Sequence, residues 1–241
     1  MPALPALDKL LRTIRRTPFH PQWLLGDPSG ASLYIKTLKP GRVLDIGCGD
    51  GWAEAQLPAG CEYLGLDNFV TGKSRYNSRP DVFADASALP LGNASIDVVL
   101  ILEVVEHLRQ PRETLIEIAR VLRPGGCLFI SLPFLYPIHD APHDYQRYTI
   151  YGLKREMEVS GFHVEEIKGT LGSIQTAGML SCLALGGMGL EAWRKRSPAV
   201  ALIPVVIIVI PLINALAWIS AKLLPDWSAI TAGYIVSAIK R

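Results

Sequence analysis

The sequence predicts an α/β fold built around a mostly parallel β-sheet. Short apolar runs alternate with amphipathic helical patterns from residue 39 onward, which is the order of elements in such folds. The run at 96–102 is continuously apolar, as expected of a central strand that is buried on both faces. A glycine-rich turn follows the first run, at the position where α/β sheets bind nucleotide-like ligands.

Seven runs have the composition of strands. They are residues 42–46, 62–66, 82–84, 96–102, 127–132, 162–167 and 233–239. Amphipathic helices are predicted at 111–122 and 149–160. Pro111 suits the first turn of one helix, because that position leaves its N–H unpaired in any case. Thr149 suits the N-cap of the other helix, and Gly161 suits its end.

Composition excludes several classes of protein. The 241 residues are 49% hydrophobic and 19% charged, which is too apolar for a disordered chain and more apolar than most soluble domains. A net charge of +2 gives no basis for a nucleic-acid partner, which requires a clustered basic excess. None of the four cysteines lies in a CxxC pair, so zinc-knuckle and thioredoxin motifs are not expected. Reduced thiols are typical of a cytoplasmic protein.

Three glycines at alternate positions, Gly47, Gly49 and Gly51, follow the first strand. Glycine tolerates positive φ and lets a ligand touch the backbone. The spacing is GxGxG and lacks a Lys-Ser/Thr pair, which excludes a phosphate-binding P-loop. The turn therefore predicts a site for a nucleotide-like ligand.

Acidic residues stand at the ends of the next two strands. Asp67 follows Asp45 by 22 residues, and its carboxylate could accept two hydrogen bonds from a ribose diol. Asp85 and Ala86 follow the third strand, where they could receive the amino group of an adenine. Each acidic residue alone is more often a solvated strand end, but their order along the chain favours a cofactor site.

Successive motifs resemble those of class I S-adenosylmethionine-dependent methyltransferases. In chain order they read LDIGCGDG, GLDN, FADASALPL, IDVVLILEVVEHL and RVLRPGGCLFISLP. The closest resemblance is to the small-molecule type with a Glu-His-Leu element. It covers residues 39–168 and a closing strand at 233–240. It implies a Rossmann-like sheet of seven mostly parallel strands whose last strand is antiparallel.

The resemblance also implies roles for individual residues, with S-adenosylmethionine as the cofactor. Asp45 and the backbone of Gly47, Cys48 and Gly49 would hold the methionine part. Asp67 would bind the ribose hydroxyls. The remaining cofactor residues would be Asn68 beside the adenine, Asp85 and Ala86 at the adenine edge, and Leu102 and Glu103 near the sulfonium.

The loop at 133–149 is the best candidate for the acceptor site, because it follows a strand and is rich in polar and aromatic groups. His139 or His143 would serve as the catalytic base, oriented by Asp140 or Asp144. The candidate acceptor-binding residues are Tyr145, Arg147 and Tyr148. In the alternative interpretation these side chains only order the loop and cap the next helix.

Two further predictions concern this region: a second candidate residue pair and the absence of a metal. Glu106 and His107 form a second candidate pair, which in the resembling family lies next to the cofactor pocket. Their alternative role is to orient the loop before the Pro111 helix. The spacing of His139 and His143 matches no specific metal pattern, so we expect no metal.

An apolar insertion separates the sixth strand from the last. Residues 169–190 and 197–221 carry no charge, and the second run is long enough to span a bilayer. A single span is excluded if 233–239 rejoins the sheet. A two-span hairpin would place Arg194, Lys195 and Arg196 outside, against the positive-inside trend. We therefore expect helices that lie in the membrane interface, with a soluble lid or dimer surface as the alternative.

The predicted organisation has three parts. They are an N-terminal helical segment at 1–38, a cofactor-binding methyltransferase domain at 39–168 plus 228–241, and the apolar insertion at 169–227. The predicted function is methyl transfer to a small, apolar or lipid-linked acceptor, in the cytoplasm or at the cytoplasmic face of the membrane. The alternative is a non-catalytic cofactor-binding or membrane scaffold protein.

Overall fold

The computed structural model describes residues 13–26, 31–73 and 78–241. The apolar positions Leu7, Leu10 and Leu11, which suggest an amphipathic N-terminal helix, lie outside these ranges. By its contacts the chain divides into two compact units. The sheet unit comprises Ser29–Phe134, Ile138–Lys168 and Gly233–Arg241, and the hairpin unit comprises Met1–Pro28, Leu135–Pro137 and Gly169–Ala232. The predicted division into three domains stays a prediction.

The sheet unit contains all seven strands, in the order β3-β2-β1-β4-β5-β7-β6. Their bounds are β1 Gly41–Ile46, β2 Cys61–Asp67, β3 Val82–Phe83, β4 Ile96–Leu102, β5 Leu122–Pro133, β6 Phe162–Gly169 and β7 Gly233–Lys240. The neighbouring pairs from β3 to β5 are parallel, and β7 is antiparallel to β5. The predicted fold class, a Rossmann-like sheet of seven mostly parallel strands with an antiparallel last strand, is confirmed.

The described residues of the sheet unit form the α-helices α1 Ala31–Lys36, α2 Phe69–Thr71, α3 Pro111–Val121 and α4 Ile150–Val159. Two cores lie on opposite faces of the sheet because alternate strand residues point to opposite sides. On one face, Leu44 packs in the cluster that holds Ile118 of α3 and Met157 of α4. On the other, Val43 packs in the cluster that contains Ile35 of α1 and Phe129.

Strand β5 is longer than the sequence predicts. It begins at Leu122, directly after α3, and includes the Arg123–Gly126 segment that the sequence suggests as a helix stop. Its register with β4 shifts between Ile96 and Val98, because Leu122 pairs with Ile96 and Cys127 pairs with Val98. The turn residues therefore end the helix, as expected, and pairing with β4 resumes at Cys127.

The hairpin unit consists mainly of two helices, α5 at Ser173–Arg194 and α6 at Ile203–Leu223. They approach closely where the small residues Gly178 and Ala217 meet. A Cβ on Gly178 would lie only 2.7 Å from the Cβ of Ala217, so no larger residue fits at position 178. The thiol of Cys182 donates to the backbone oxygen of Ile210 at 3.6 Å. The predicted apolar insertion is therefore a helical hairpin.

Asn214, near the middle of α6, ties the N-terminal segment to this hairpin. The side chain is fully buried, and its amide donates to the backbone oxygens of Pro18, at 2.6 Å, and His20, at 3.0 Å. Trp23 lies against Trp218, with ring centroids 6.5 Å apart. Residues 17–25 therefore pack on α6 within the hairpin unit.

Much of the hairpin surface is apolar and exposed. Both helices are long and apolar enough to cross a membrane, and only 22% and 11% of their most apolar windows are buried. On α6 the buried residues Ile210, Asn214 and Ala217 form one stripe. The opposite stripe is exposed and consists of Val205, Ile208, Leu212, Leu216, Ile219 and Leu223. A continuous exposed apolar stripe of this kind marks a candidate interaction surface.

Candidate active site

The carboxyl ends of β1, β2, β3 and β4 are adjacent in the sheet, and the predicted cofactor residues follow these strands. The order in which strands are added to the sheet reverses between β1 and β4, which is where doubly wound folds bind ligands. Strand pairing places Asp45 beside Leu100 and Asp67 beside Phe83. The structure thus brings the predicted cofactor residues to one edge.

The glycine turn has the backbone geometry that its sequence predicts. Gly47, Gly49 and Gly51 all have positive φ, at 74°, 56° and 75°. A Cβ on Gly47 would lie 2.4 Å from a methyl group of Val104, so no side chain fits there. A Cβ on Gly49 would meet no atom within 4 Å. The backbone of Gly49 therefore borders open space where a ligand can approach.

Two backbone donors of this turn are already engaged. The N–H groups of Gly47 and Cys48 both donate to the backbone oxygen of Leu66, at 2.7 and 3.1 Å. This link locks the turn against the end of β2. Burial raises the pKa of the Cys48 thiol to about 12, so the thiol stays neutral.

Asp45 is 3% exposed and accepts a hydrogen bond from the Tyr63 hydroxyl at 2.9 Å. Desolvation raises the pKa of Asp45 to about 6, although the Tyr63 bond opposes the shift. A buried carboxylate with so high a pKa is readily stabilised by a cation. The ammonium group of a bound amino acid would supply one.

Asp67 is the last residue of β2, and Asn68 is the N-cap of the helix that follows. Asp67 is buried, and its Oδ1 accepts the Asn68 N–H at 2.7 Å. The Asn68 side chain accepts the Val70 N–H at 2.9 Å and caps helix α2. Its predicted position beside the adenine remains a prediction, because the amide oxygen is used in the cap.

An exposed aromatic pair stands beside these residues, and sequence reasoning did not identify it. Phe69 and Phe83 are 58% and 40% exposed, and their rings meet edge to face at 5.4 Å. Phe83 ends β3 next to Asp67 in the sheet. Flat apolar surfaces at this edge suit a nucleobase. Only the pairing of β2 with β3 brings the two rings together.

The two residues after β3 differ in exposure. Asp85 is exposed, and its Oδ1 accepts both the N–H and the hydroxyl of Ser87, at 2.9 and 2.8 Å. Ala86 is 8% exposed and joins the main core. Asp85 thus shapes its own turn, and a role at the adenine edge stays a prediction.

Glu103 has a strained backbone at the end of β4. Its φ is +54°, a conformation that non-glycine residues adopt rarely and mostly at functional sites. The Glu103 N–H donates to Ser131 O at 2.9 Å, which fixes it to β5. Water reaches this residue, yet desolvation by the surrounding protein, aided by Glu106, raises the pKa of Glu103 to about 7. Leu102 is half-buried beside it.

His139 lies between two carboxylates. Its Nδ1 is 3.3 Å from Asp144 Oδ2, and its Nε2 is 3.6 Å from Glu106 Oε1. Arg147 holds Asp144 in a two-point ion pair, with Nη2 to Oδ2 at 2.8 Å. The hydrogen bonds from Arg147 lower the pKa of Asp144 to about 2, so this carboxylate stays ionised. Arg147 therefore orders the loop through Asp144.

The second loop histidine, His143, faces a tyrosine. His143 Nδ1 is 3.1 Å from the Tyr145 hydroxyl, which also accepts a hydrogen bond from Arg109 Nε at 3.2 Å. The backbone oxygen of His143 contacts His107 Nδ1 at 2.8 Å. Tyr148 packs against the main core of the sheet unit. The loop is thus tied to residues 105–109.

Comparisons with known proteins agree with this geometry. Residues 44–130 match the methyltransferase domain family. A protein of Mycolicibacterium smegmatis named "probable S-adenosylmethionine-dependent methyltransferase" is 34% identical over 170 residues, which are 65% of this chain and 65% of that protein. An O-methyltransferase of Penicillium expansum is 37% identical over 118 residues, which are 42% of this chain and 41% of that protein.

A solved structure shares the fold. The S-adenosylmethionine-dependent methyltransferase of Mesorhizobium loti superposes with a TM-score of 0.52 at 16% identity, over 91% of this chain and 98% of that one. The chain spans about two thirds or less of the length of the two curated relatives that it matches. The domain match, the motifs and the sheet order agree, and the named Mycolicibacterium smegmatis relative supports S-adenosylmethionine as the cofactor. Residues 44–130 of this chain therefore match the methyltransferase domain family, and the chain is similar to S-adenosylmethionine-dependent methyltransferases.

Proposed function

We propose that the whole protein is a methyltransferase that uses S-adenosylmethionine and modifies a small, apolar or lipid-linked acceptor at a membrane surface. One observation supports this proposal above others: a class I methyltransferase domain is joined in the same chain to a helical hairpin with an exposed apolar stripe. The small-molecule subtype with the Glu-His-Leu element is part of this proposal.

The residues at the sheet edge fit the cofactor. Gly49 offers open backbone, Asp45 offers a buried carboxylate for the methionine ammonium, and Asp67 offers a carboxylate for the ribose. We assign Gly47, Cys48, Asn68, Asp85, Ala86, Leu102 and Glu103 to the surrounding wall. The bound cofactor supplies an electrophilic methyl group for in-line displacement.

The acceptor end of the site is assigned to the loop of residues 138–148. His143 is the favoured base, because His139 is held between Glu106 and Asp144, whereas the Nδ1 of His143 contacts the hydroxyl of Tyr145. A base at this position would take the proton from an acceptor hydroxyl, an effect typically of ~10²–10⁴-fold. Tyr145, Arg147 and Tyr148 would shape the acceptor pocket.

The hairpin supports membrane contact in the plane of the interface rather than a full span. Residues 17–25 pack along the middle of α6, where Asn214 binds the backbone of Pro18 and His20. Two transmembrane helices would place this polar backbone at the bilayer centre, which is strongly unfavourable. A helix lying in the interface buries only its exposed stripe and leaves the packed stripe away from lipid.

Titration calorimetry with S-adenosylmethionine, S-adenosylhomocysteine and NAD tests the cofactor. We expect binding of the first two only. Transfer of label from methyl-labelled S-adenosylmethionine into lipid extracts, compared with aqueous metabolite extracts, then tests the acceptor class. Cofactor binding with label only in the aqueous fraction would overturn the lipid acceptor. An absence of cofactor binding by folded protein would favour the scaffold alternative.

A further inference from the structure

Glu106 presents a deeply buried carboxyl group, with Arg147 as a charged neighbour. It lies on the short 3-10 helix Val105–His107 and is 1% exposed. Among the residues that the structure describes, none donates a hydrogen bond to either of its carboxylate oxygens. An ionised carboxylate without hydrogen bonds is strongly unfavourable inside a protein. Arg147 interacts with Glu106 electrostatically but donates no hydrogen bond to it, so both carboxylate oxygens remain available as ligands.

Two imidazoles converge on this carboxylate from different parts of the chain. Glu106 Oε1 is 3.7 Å from His107 Nε2 and 3.6 Å from His139 Nε2. One ligand atom from each of the three residues lies within 4.8 Å of the others. We propose that Glu106, His107 and His139 form a binding site for a divalent transition-metal ion of the Zn²⁺ type.

The distances favour a shared ion over direct bonds. An N–H···O hydrogen bond is normally about 2.7–3.2 Å long, so separations of 3.6 and 3.7 Å are too long for one. Two ligands at about 2.0–2.1 Å from a tetrahedral Zn²⁺ are about 3.3 Å apart. Small shifts of the side chains would therefore bring all three groups to coordination distance.

The other nitrogen of each imidazole is already engaged as metal sites require. His107 Nδ1 lies 2.8 Å from the backbone oxygen of His143, which can only accept, so Nδ1 carries the proton. His139 Nδ1 lies 3.3 Å from Asp144, which Arg147 holds in place. Carboxylate or carbonyl partners at Nδ1 orient ligating histidines and leave the lone pair of Nε2 for the ion.

Two histidines and one glutamate leave a coordination position open. Zinc sites of this composition are catalytic rather than structural, because the open position takes water or substrate. Asp140 Oδ2, 3.9 Å from His107 Nε2, could also complete the set. Metal binding stands independently of the proposed function. Only the use of the open position, by an oxygen of the methyl acceptor, rests on that function.

A protonated histidine pair is the competing explanation for the buried Glu106. It makes a different prediction for added Zn²⁺. If a protonated histidine pair alone accounts for the cluster, Zn²⁺ leaves the melting temperature of the wild type unchanged. If the site holds a metal, Zn²⁺ raises the melting temperature of the wild type but not that of Glu106→Gln.

The experiment uses tag-free, full-length protein that has been stripped with a chelator. Equilibrium dialysis against Zn²⁺ and spectroscopic titration with Co²⁺ are carried out on the wild type, Glu106→Gln, His139→Ala and Asp144→Asn. His163→Ala and Glu166→Gln are the matched controls, because both residues are outside the cluster. Circular dichroism verifies that each variant is folded.

We expect one ion per wild-type chain and one per control chain. Glu106→Gln and His139→Ala should lose at least 100-fold in affinity, and Asp144→Asn, which changes only a supporting group, about 10–100-fold. Zn²⁺ should raise the melting temperature of the wild type but not of Glu106→Gln. No ion in the wild type, equal affinity in all variants, or an equal Zn²⁺-induced rise in the melting temperatures of the wild type and Glu106→Gln would overturn the proposal.

Calorimetry with S-adenosylmethionine on the same samples separates this proposal from the proposed function. Cofactor binding without metal binding would overturn the metal site alone. Metal binding without cofactor binding would overturn the methyltransferase proposal and leave the metal site standing.

Discussion

Single residues of the glycine turn have separable roles, because Gly47 and Gly49 share a backbone conformation but differ in their surroundings. Gly47→Ala should lower the free energy of unfolding by more than the ~1–2 kcal/mol of a left-handed alanine, since its Cβ would also overlap Val104. Gly49→Ala should cost only about that strain but weaken S-adenosylmethionine binding. Urea unfolding and calorimetry measure the two effects. Equal stability of the two variants would contradict the steric argument.

Asp45 makes a prediction about pH. Burial raises its pKa to about 6, so the carboxyl is mostly neutral at pH 5 and ionised at pH 7. Because the ionised form attracts the ammonium of the cofactor, affinity should rise about tenfold from pH 5 to pH 7. The same ionisation lowers the stability of the ligand-free protein as pH rises through 4 to 6.

Calorimetry across this pH range checks the prediction on wild type and Asp45→Asn. The amide variant should bind more weakly at pH 7 and show a flat profile. A profile that is equally steep in Asp45→Asn would assign the titration to another group.

His143 tests the assignment of the base. His143→Ala should reduce turnover by ~10²–10⁴-fold while leaving the affinity for S-adenosylmethionine nearly unchanged. His163→Ala is the control, because His163 is an exposed residue of β6, and this variant should retain turnover. A parallel loss of turnover and cofactor affinity in His143→Ala would indicate that the residue only orders the loop.

At the scale of the element, helix α6 has one buried stripe and one exposed stripe on opposite sides. Asn214 lies in the buried stripe. Leu212 and Leu216 lie in the exposed stripe, and their side chains are 57% and 65% exposed. Leu212→Glu with Leu216→Glu should therefore leave the stability of the protein within about 0.5 kcal/mol but abolish sedimentation with phospholipid vesicles.

The matched control is Ile116→Glu, because Ile116 is an exposed apolar residue on α3 of the sheet unit. This variant should still sediment with vesicles. Unchanged sedimentation of the double variant, measured with neutral and anionic vesicles, would mean that the stripe does not contact lipid and would favour the dimer-surface alternative.

For the whole molecule, cofactor binding should appear as added stability. S-adenosylmethionine at 100 times its dissociation constant should raise the free energy of unfolding by about 2.7 kcal/mol, provided that it binds only the folded state. Thermal unfolding with S-adenosylmethionine and with NAD measures this effect. A stabilisation by NAD alone would point to an oxidoreductase, for which Asp67 would also be suited.

The sequence by itself determined the sheet, its glycine turn and the family of the methyltransferase domain. These features are encoded locally, because apolar runs of strand length, positive-φ glycines and strand-end carboxylates stand at fixed spacings along the chain. The predicted N-cap at Thr149 is one example, because its hydroxyl accepts the Gly152 N–H at the start of α4. The extension of β5 was missed because the chain after α3 gains its pairing partner only from β4.

The tertiary structure alone decided how distant residues meet. The approach of His139 to Glu106 and His107 joins residues more than 30 positions apart, and no spacing rule predicts such an encounter. The same holds for Phe69 with Phe83 and for the packing of Pro18 on Asn214. Side-chain contacts between separate elements depend on strand order and helix packing. A single sequence contains that information only through the complete fold.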